Sequence, residues 1–114
     1  MADCLFCGIA ASEIPATKVM ETDHVLAFRD INPQAPTHVL VIPKQHYPDV
    51  AALAAADAAL FGEVIGAVQQ VAAADGVAET GYRVVFNTGA EAGQTVPHVH
   101  GHLLGGRALA WPPG

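Results

Sequence analysis

Charge is the scarcest property of this 114-residue chain: only 14% of its residues are Asp, Glu, Lys or Arg. Five Lys and Arg against eleven Asp and Glu leave a formal net charge of −6. Duplex nucleic acid needs a basic field, so that class of partner is excluded, although local donors can still hold a small anion. Long apolar runs are missing too. The most apolar stretch, Val50 to Phe61, is alanine-rich and broken by Asp57, which makes a poor membrane span. No Lys or Arg precedes Lys18 and no long apolar segment follows, the opposite of a secretory leader. A cytoplasmic protein without membrane contact is expected. Cysteine is limited to Cys4 and Cys7. In a reducing compartment these should be thiols rather than a disulfide.

What is present suits one globular domain spanning residues 1–114, with apolar residues at 52% of the chain. A short helical turn is expected over residues 6–12, ended by Glu13-Ile14-Pro15. Extended segments follow at Lys18–Glu21 and Val25–Arg29, with Thr22-Asp23-His24 as the turn. Asn32-Pro33-Gln34-Ala35-Pro36 breaks regular structure. His38–Ile42 is β-branched and reads as a buried strand ended by Pro43. One long helix is expected from Asp57 to Ala74, with Leu60, Val64, Val68 and Val71 on one stripe. Asp57 caps it and Asp75-Gly76 ends it. Strands are expected again at Tyr82–Asn87 and His98–Leu104, separated by a loop containing Gly89, Gly93 and Gln94. A few strands, one long helix and two more strands suggest an α+β fold with an antiparallel sheet.

The chemistry concentrates in Pro97-His98-Val99-His100-Gly101-His102-Leu103-Leu104. On a strand, His98, His100 and His102 share one face. Three buried imidazoles in a row make a poor core, because each ring nitrogen needs a partner. They suit proton transfer, metal ligation or anion binding near neutral pH. The alternative is a solvated polar face. The preceding loop, with Gly89, Gly93, Gln94 and Thr95, can turn N–H groups and a hydroxyl toward an anion. Asn87 ends its strand nearby.

His98-Val99-His100-Gly101-His102-Leu103-Leu104 resembles the motif of the histidine triad (HIT) superfamily, His-x-His-x-His followed by two apolar residues. Phe28-Arg29-Asp30-Ile31-Asn32-Pro33-Gln34-Ala35-Pro36-Thr37-His38, then Val41-Ile42-Pro43-Lys44, Leu104-Gly105-Gly106-Arg107 and Trp111-Pro112-Pro113-Gly114, resemble its nucleotide-binding (Hint) branch. The resemblance covers nearly the whole chain. It implies a HIT-like fold: a five-stranded, mostly antiparallel sheet with one long helix and a short N-terminal helix. It also implies a homodimer with a continuous sheet, paired across the Asp57–Ala74 helix and the Tyr82–Asn87 strand.

The activity implied is hydrolysis of purine nucleoside monophosphate conjugates: phosphoramidates and aminoacyl adenylates. By resemblance His100 is the nucleophile that forms a nucleotidyl-histidine. His102 contacts phosphate or assists proton transfer, and His38 orients or shuttles protons. Asn87, Gly93, Gln94 and Thr95 would bind the phosphate or leaving group. Asp30 would hold the ribose hydroxyls, and Phe6, Ile9, Ile14, Phe28 and Ile31 would form the base slot. The alternative for those five is ordinary core. Trp111 would reach the partner subunit's site. No cofactor is needed for the chemistry.

Cys4-Leu5-Phe6-Cys7 supplies two soft ligands, half of a tetrahedral site. Some bacterial members resemble this chain and bind a structural zinc, which implies Cys4, Cys7, His46 and His98 as ligands; others lack the cysteines. Gly101 departs from the family pattern, which favours an apolar side chain there. It should weaken packing by roughly 0.5–1 kcal/mol unless something compensates. Thr95 replaces a serine, and Gln94-Thr95-Val96-Pro97-His98 resembles the dinucleoside polyphosphate hydrolase branch. Two other readings therefore stand beside phosphoramidate hydrolysis: dinucleoside polyphosphate hydrolysis, and a nucleotide-binding module without turnover.

Overall fold

The computed structural model describes residues 4–114. Five strands form one sheet: β1 (Lys18–Glu21), β2 (Val25–Arg29), β3 (Thr37–Pro43), β4 (Tyr82–Val85) and β5 (Gly101–Gly105). Their order is β1-β2-β3-β5-β4, and all neighbours are antiparallel. The expected α+β architecture is thus present. β3 lies at the centre and is buried along its whole length, because both faces of the sheet are covered. Val39 and Val41 face one apolar layer with Val25, Ala27 and Leu103. Leu40 and Ile42 face the other with Leu26 and Phe28. This two-sided burial explains why the segment reads as an unbroken β-branched run.

The first layer is covered by helix α3 (Ala58–Ala74). Asp57 accepts a hydrogen bond from the Leu60 N–H and caps the start. Asp75 closes the end, and Gly76 turns the chain with φ of 78°, a conformation that favours glycine. The expected stripe of Leu60, Val64, Val68 and Val71 is buried, together with Ala67 and Ala72. The other face of the sheet carries α1 (Leu5–Ala10), whose Phe6 and Ile9 pack on Leu26, Phe28 and Leu40.

Three expectations needed correction. Helices α2 (Val50–Ala56) and α4 (Val77–Thr80) have no amphipathic stripe to announce them; Asp49 caps α2 through the Ala52 N–H. The strand expected at Tyr82–Asn87 ends at Val85. The strand expected from His98 starts only at Gly101. The backbone of residues 98–100 is engaged elsewhere: the Val99 N–H donates to the Tyr47 carbonyl, and the His98 carbonyl accepts from the His100 ring. Among the described residues no helix is long and apolar enough to cross a membrane.

One ion pair ties the two layers together. The Arg29 guanidinium, at the end of β2, grips both carboxylate oxygens of Asp75, which also accepts from the Thr37 hydroxyl at 3.1 Å. The Arg29 bonds hold Asp75 below the usual 3.8. A depressed carboxyl pKa contributes stability above the unfolded value and loses it as pH falls through the folded one. Because Arg29 is 38% exposed, the contribution is discounted to roughly 1–2 kcal/mol. Asp75→Ala should lower the urea midpoint accordingly at pH 7. The gap to wild type should close as the pH drops below 3.8. A gap that persists undiminished well below that pH would rule out the ion pair as its source.

Candidate active site

Alternation along β3 puts His38, Leu40 and Ile42 on the α1 side of the sheet. In the β3–β5 register Leu40 faces His102 and His38 faces Leu104, so His38 and His102 are diagonal neighbours on that side. Their rings meet: His38 Nε2 lies 3.0 Å from His102 Nδ1. His100 is next, its ring centroid 5.0 Å from that of His102 and 5.0 Å from Phe6. His98 lies deepest and has no exposed surface. The three histidines thus share a face as expected, with His98 and His100 buried, His102 half-buried and each with a partner, rather than as a solvated stripe.

The hydrogen bonds fix each tautomer. His100 Nδ1 is 2.8 Å from the His98 carbonyl. A carbonyl only accepts, so Nδ1 carries the proton and Nε2 the lone pair. Burial lowers the His100 pKa from 6.5, outweighing the His98 carbonyl and Asp30, so the lone pair is free at neutral pH. The Gln34 N–H donates to His38 Nδ1 at 3.0 Å. His38, kept neutral by burial, therefore holds its proton on Nε2 and donates it to His102 Nδ1. His102 in turn keeps its own proton on Nε2. Burial first, then the neighbouring His100 and His38, push the His102 pKa down to about 4. The result is one free lone pair on His100 beside one N–H donor on His102.

His100 and His102 line a cavity of about 390 Å³, within the usual range for a small-molecule site. Phe6, Ile9, Ile14, Phe28, Asp30 and Ile31 all line it as well, with Leu40, Thr95 and Val96. Ile31 is fully exposed and forms the rim, whereas Phe6, Ile9 and Phe28 are buried. Asp30 Oδ1 accepts from the Asn32 N–H at 2.8 Å, and Oδ2 lies 3.4 Å from His38 Nε2. Two other hollows, about 340 and 390 Å³, have walls that bring no catalytic set together.

Asn87, Gly93 and Gln94 do not line this cavity. Gln94 was expected to donate to phosphate or leaving-group oxygens. Instead its amide N–H groups go to the Pro48 and Val96 carbonyls and its oxygen accepts from the Gly89 N–H. It braces the glycine loop that carries Thr95. Gly93 closes the loop turn with φ of 85°. Trp111 is 81% exposed. Sequence reasoning missed the backbone groups that set the tautomers, the Gln34 N–H and the His98 carbonyl, because every residue carries such groups and only the fold selects among them. It also missed Leu40 on the cavity wall, which alternation with His38 could have placed there.

A second cluster lies beneath the triad. The donor atoms of Cys4, Cys7, His46 and His98 all lie within 4.8 Å of one another. Cys4 Sγ and Cys7 Sγ are 3.3 and 3.5 Å from His98 Nδ1, and Cys7 Sγ is 3.4 Å from His46 Nδ1. Ordinary Zn–S and Zn–N bonds make a tetrahedral S···N edge of about 3.5 Å. His98 Nε2 donates to the Pro43 carbonyl at 2.8 Å, which leaves Nδ1 unprotonated and aimed at the sulfurs. Such a partner is what orients a metal-bound imidazole. Burial and the adjacent Cys4 raise the Cys7 thiol pKa from 9.0, so a metal entering here must displace protons. The donor set and its tautomer fit zinc.

Asp30, His38 and His102 also offer three converging ligand atoms, but their tautomers oppose a metal. A cation on His38 Nε2 would force the ring proton onto Nδ1, against the Gln34 N–H. This second group is a hydrogen-bonded relay.

The HIT domain family matches residues 11–109. An uncharacterised HIT-like protein of Synechococcus elongatus is 54% identical over 112 residues, covering 98% of this chain and 97% of its own. A 14 kDa zinc-binding protein of Zea mays is 49% identical over 113 residues, covering 96% and 87% respectively. The crystal structure of a HIT family hydrolase from Legionella pneumophila superposes with a TM-score of 0.95 at 51% identity, covering 98% of this chain and 100% of that one.

Proposed function

Since this chain belongs to the HIT domain family, whose solved relatives include hydrolases, we propose that it hydrolyses purine nucleoside phosphoramidates and related nucleoside monophosphate conjugates such as aminoacyl adenylates. One observation carries the reading. His100, with its Nε2 lone pair freed by the His98 carbonyl, lines the same cavity as Asp30 and an apolar wall of Phe6, Ile9 and Phe28. The base lies against that wall, with Ile14 and Ile31 at the rim, and the Asp30 carboxylate accepts from the ribose hydroxyls.

His100 Nε2 attacks the α-phosphorus. The P–N bond to the leaving amine breaks as that nitrogen takes a proton from solvent, while the neutral His102 donates a hydrogen bond from its Nε2–H to a phosphoryl oxygen. A nucleotidyl-histidine results. Water, losing its proton to solvent, then attacks phosphorus, breaks the P–Nε2 bond and releases the nucleoside monophosphate. Imidazole suits both halves, as nucleophile and as leaving group. His38 holds His102 in the donor tautomer throughout. Thr95, on the cavity wall, stabilises charge on the phosphoryl oxygens, with Gln94 bracing the loop that carries it. No metal is needed for these steps. A zinc ion on Cys4, Cys7, His46 and His98 has a structural role, as four protein ligands leave no open position; the zinc-binding maize relative supports it.

The reading includes a homodimer of single HIT domains. β4 ends the sheet order, and no strand pairs with its outer edge among the described residues, a position that invites pairing. Exposed Trp111 would then lie near the partner's cavity. The test is hydrolysis of adenosine 5′-phosphoramidate and of diadenosine tetraphosphate side by side, without added Mg²⁺. Faster phosphoramidate turnover is expected. Preference for the dinucleotide would favour the polyphosphate reading that the Gln94-Thr95-Val96-Pro97 run supports. Tight nucleotide binding with neither substrate cleaved would leave a binding module.

A further inference from the structure

Helix α1 has six residues, too few to hold a helix alone in water. Its fixings are unusual. Cys4 precedes it and caps it, accepting from the Cys7 N–H at 3.3 Å, and Cys7 lies in its first turn. Both sulfurs belong to the cluster with His46 and His98. The other side of the same helix presents Phe6 and Ile9 to the nucleoside cavity. The Phe6 ring stands edge-on to His100, at 5.0 Å and 86°, and to His98 at 6.0 Å. His98 is a member of the cluster through Nδ1, and its own carbonyl takes the His100 Nδ1 proton. The Cys/His cluster therefore touches the active site twice, through α1 and through the His98 backbone.

We propose that metal occupancy of the Cys4/Cys7/His46/His98 cluster sets both the shape of the nucleoside cavity and the tautomer of His100. Cys4, Cys7 and His98 are then positioning residues for a reaction the metal never touches. With zinc bound, α1 is pinned at two points and His98 cannot rotate. Phe6 and the His98 carbonyl stay where base and nucleophile need them. With zinc removed, α1 keeps its apolar contacts and only the weaker thiol hydrogen bonds to His46 and His98. Phe6 then shifts against His100, and the His100 ring samples both tautomers. This inference rests on the nucleoside reading of the cavity for its binding half only.

The protein loaded with one equivalent of Zn²⁺ is compared with the same protein after chelation and with the reloaded protein. Calorimetry gives the AMP dissociation constant, and long-range ¹H–¹⁵N correlation gives the protonation of each His100 ring nitrogen. Amide exchange in β3 and β5 reports whether the sheet persists. Removal of zinc should weaken AMP binding by about ten-fold or more and convert the single Nδ1-protonated signature of His100 to an averaged one, both restored on reloading. A metal-stripped protein with its sheet intact, unchanged AMP affinity and unchanged His100 nitrogens would overturn the proposal. Should stripping unfold the chain, His46→Ala takes its place. This half-buried ligand contacts neither cavity nor nucleophile, so AMP affinity that follows added Zn²⁺ supports the proposal and affinity indifferent to it overturns it. If the loaded protein binds no AMP, the nucleoside reading fails and the His100 tautomer alone decides.

Discussion

His100→Ala is expected to lower phosphoramidate turnover by on the order of 10⁴-fold or more while AMP still binds within a few-fold of wild type. The separation follows from geometry. The base wall and Asp30 line the cavity independently of His100, so ground-state binding survives its loss. The only imidazole lone pair left facing the phosphate does not. His102 cannot substitute, because its Nδ1 is occupied by the His38 donor and its Nε2 carries a proton. Truncation also removes the ring on which Phe6 leans, so His100→Gln is the companion variant. It fills the space and should be equally inactive. Residual turnover within ten-fold of wild type in both variants would place the nucleophile elsewhere.

Gly101→Val should destabilise the protein by about 1–3 kcal/mol, the usual consequence of overfilling a packed site. A Cβ at Gly101 would lie 2.8 Å from Phe86 Cζ and 3.0 Å from Cε1. Phe86 is held in turn by Phe61, ring centroids 5.9 Å apart. The resemblance to the family led us to expect a packing defect where this chain has glycine. Phe86 fills that room from the end of β4, so the defect is compensated. Gly101→Val combined with Phe86→Leu should recover most of the lost stability, and a cycle of urea midpoints measures the coupling. A single variant as stable as wild type, or a pair no better than Gly101→Val alone, would show that the two sites do not share this space. Since Gly101 is on the α3 side of the sheet, the paired variant should keep its turnover.

Much of the fold was legible where local chemistry and burial agree. Asp57 and Asp75-Gly76 bounded α3 correctly, because cap and stop signals act within one turn. The β-branched run of β3 announced a strand covered on both sides. α2 was missed because alanine satisfies a helix without marking a buried face. The start of β5 was misplaced because His98, Val99 and His100 have the alternation of a strand while their backbone groups serve a ring nitrogen and the Tyr47 carbonyl instead of the ladder.

By itself the sequence determined three alternating histidines on one face, a pair of cysteines and the buried stripe of α3, which depend on residue identity and on periods of two or 3.6 that a chain carries locally. The roles of Asp30, of His46 and of the apolar set were implied by the resemblance to the HIT family. Only the tertiary structure decided which nitrogen of each histidine holds its proton, that Gln94 braces a loop rather than facing the cavity, and that Phe86 occupies the space beside Gly101. It also decided that the Cys/His group has the tautomer for a metal while Asp30, His38 and His102 do not. Each of these turns on a backbone carbonyl, a backbone N–H or an aromatic ring brought in from a distant part of the chain. Such partners are set by how strands register and layers stack, and no local pattern of residues encodes them.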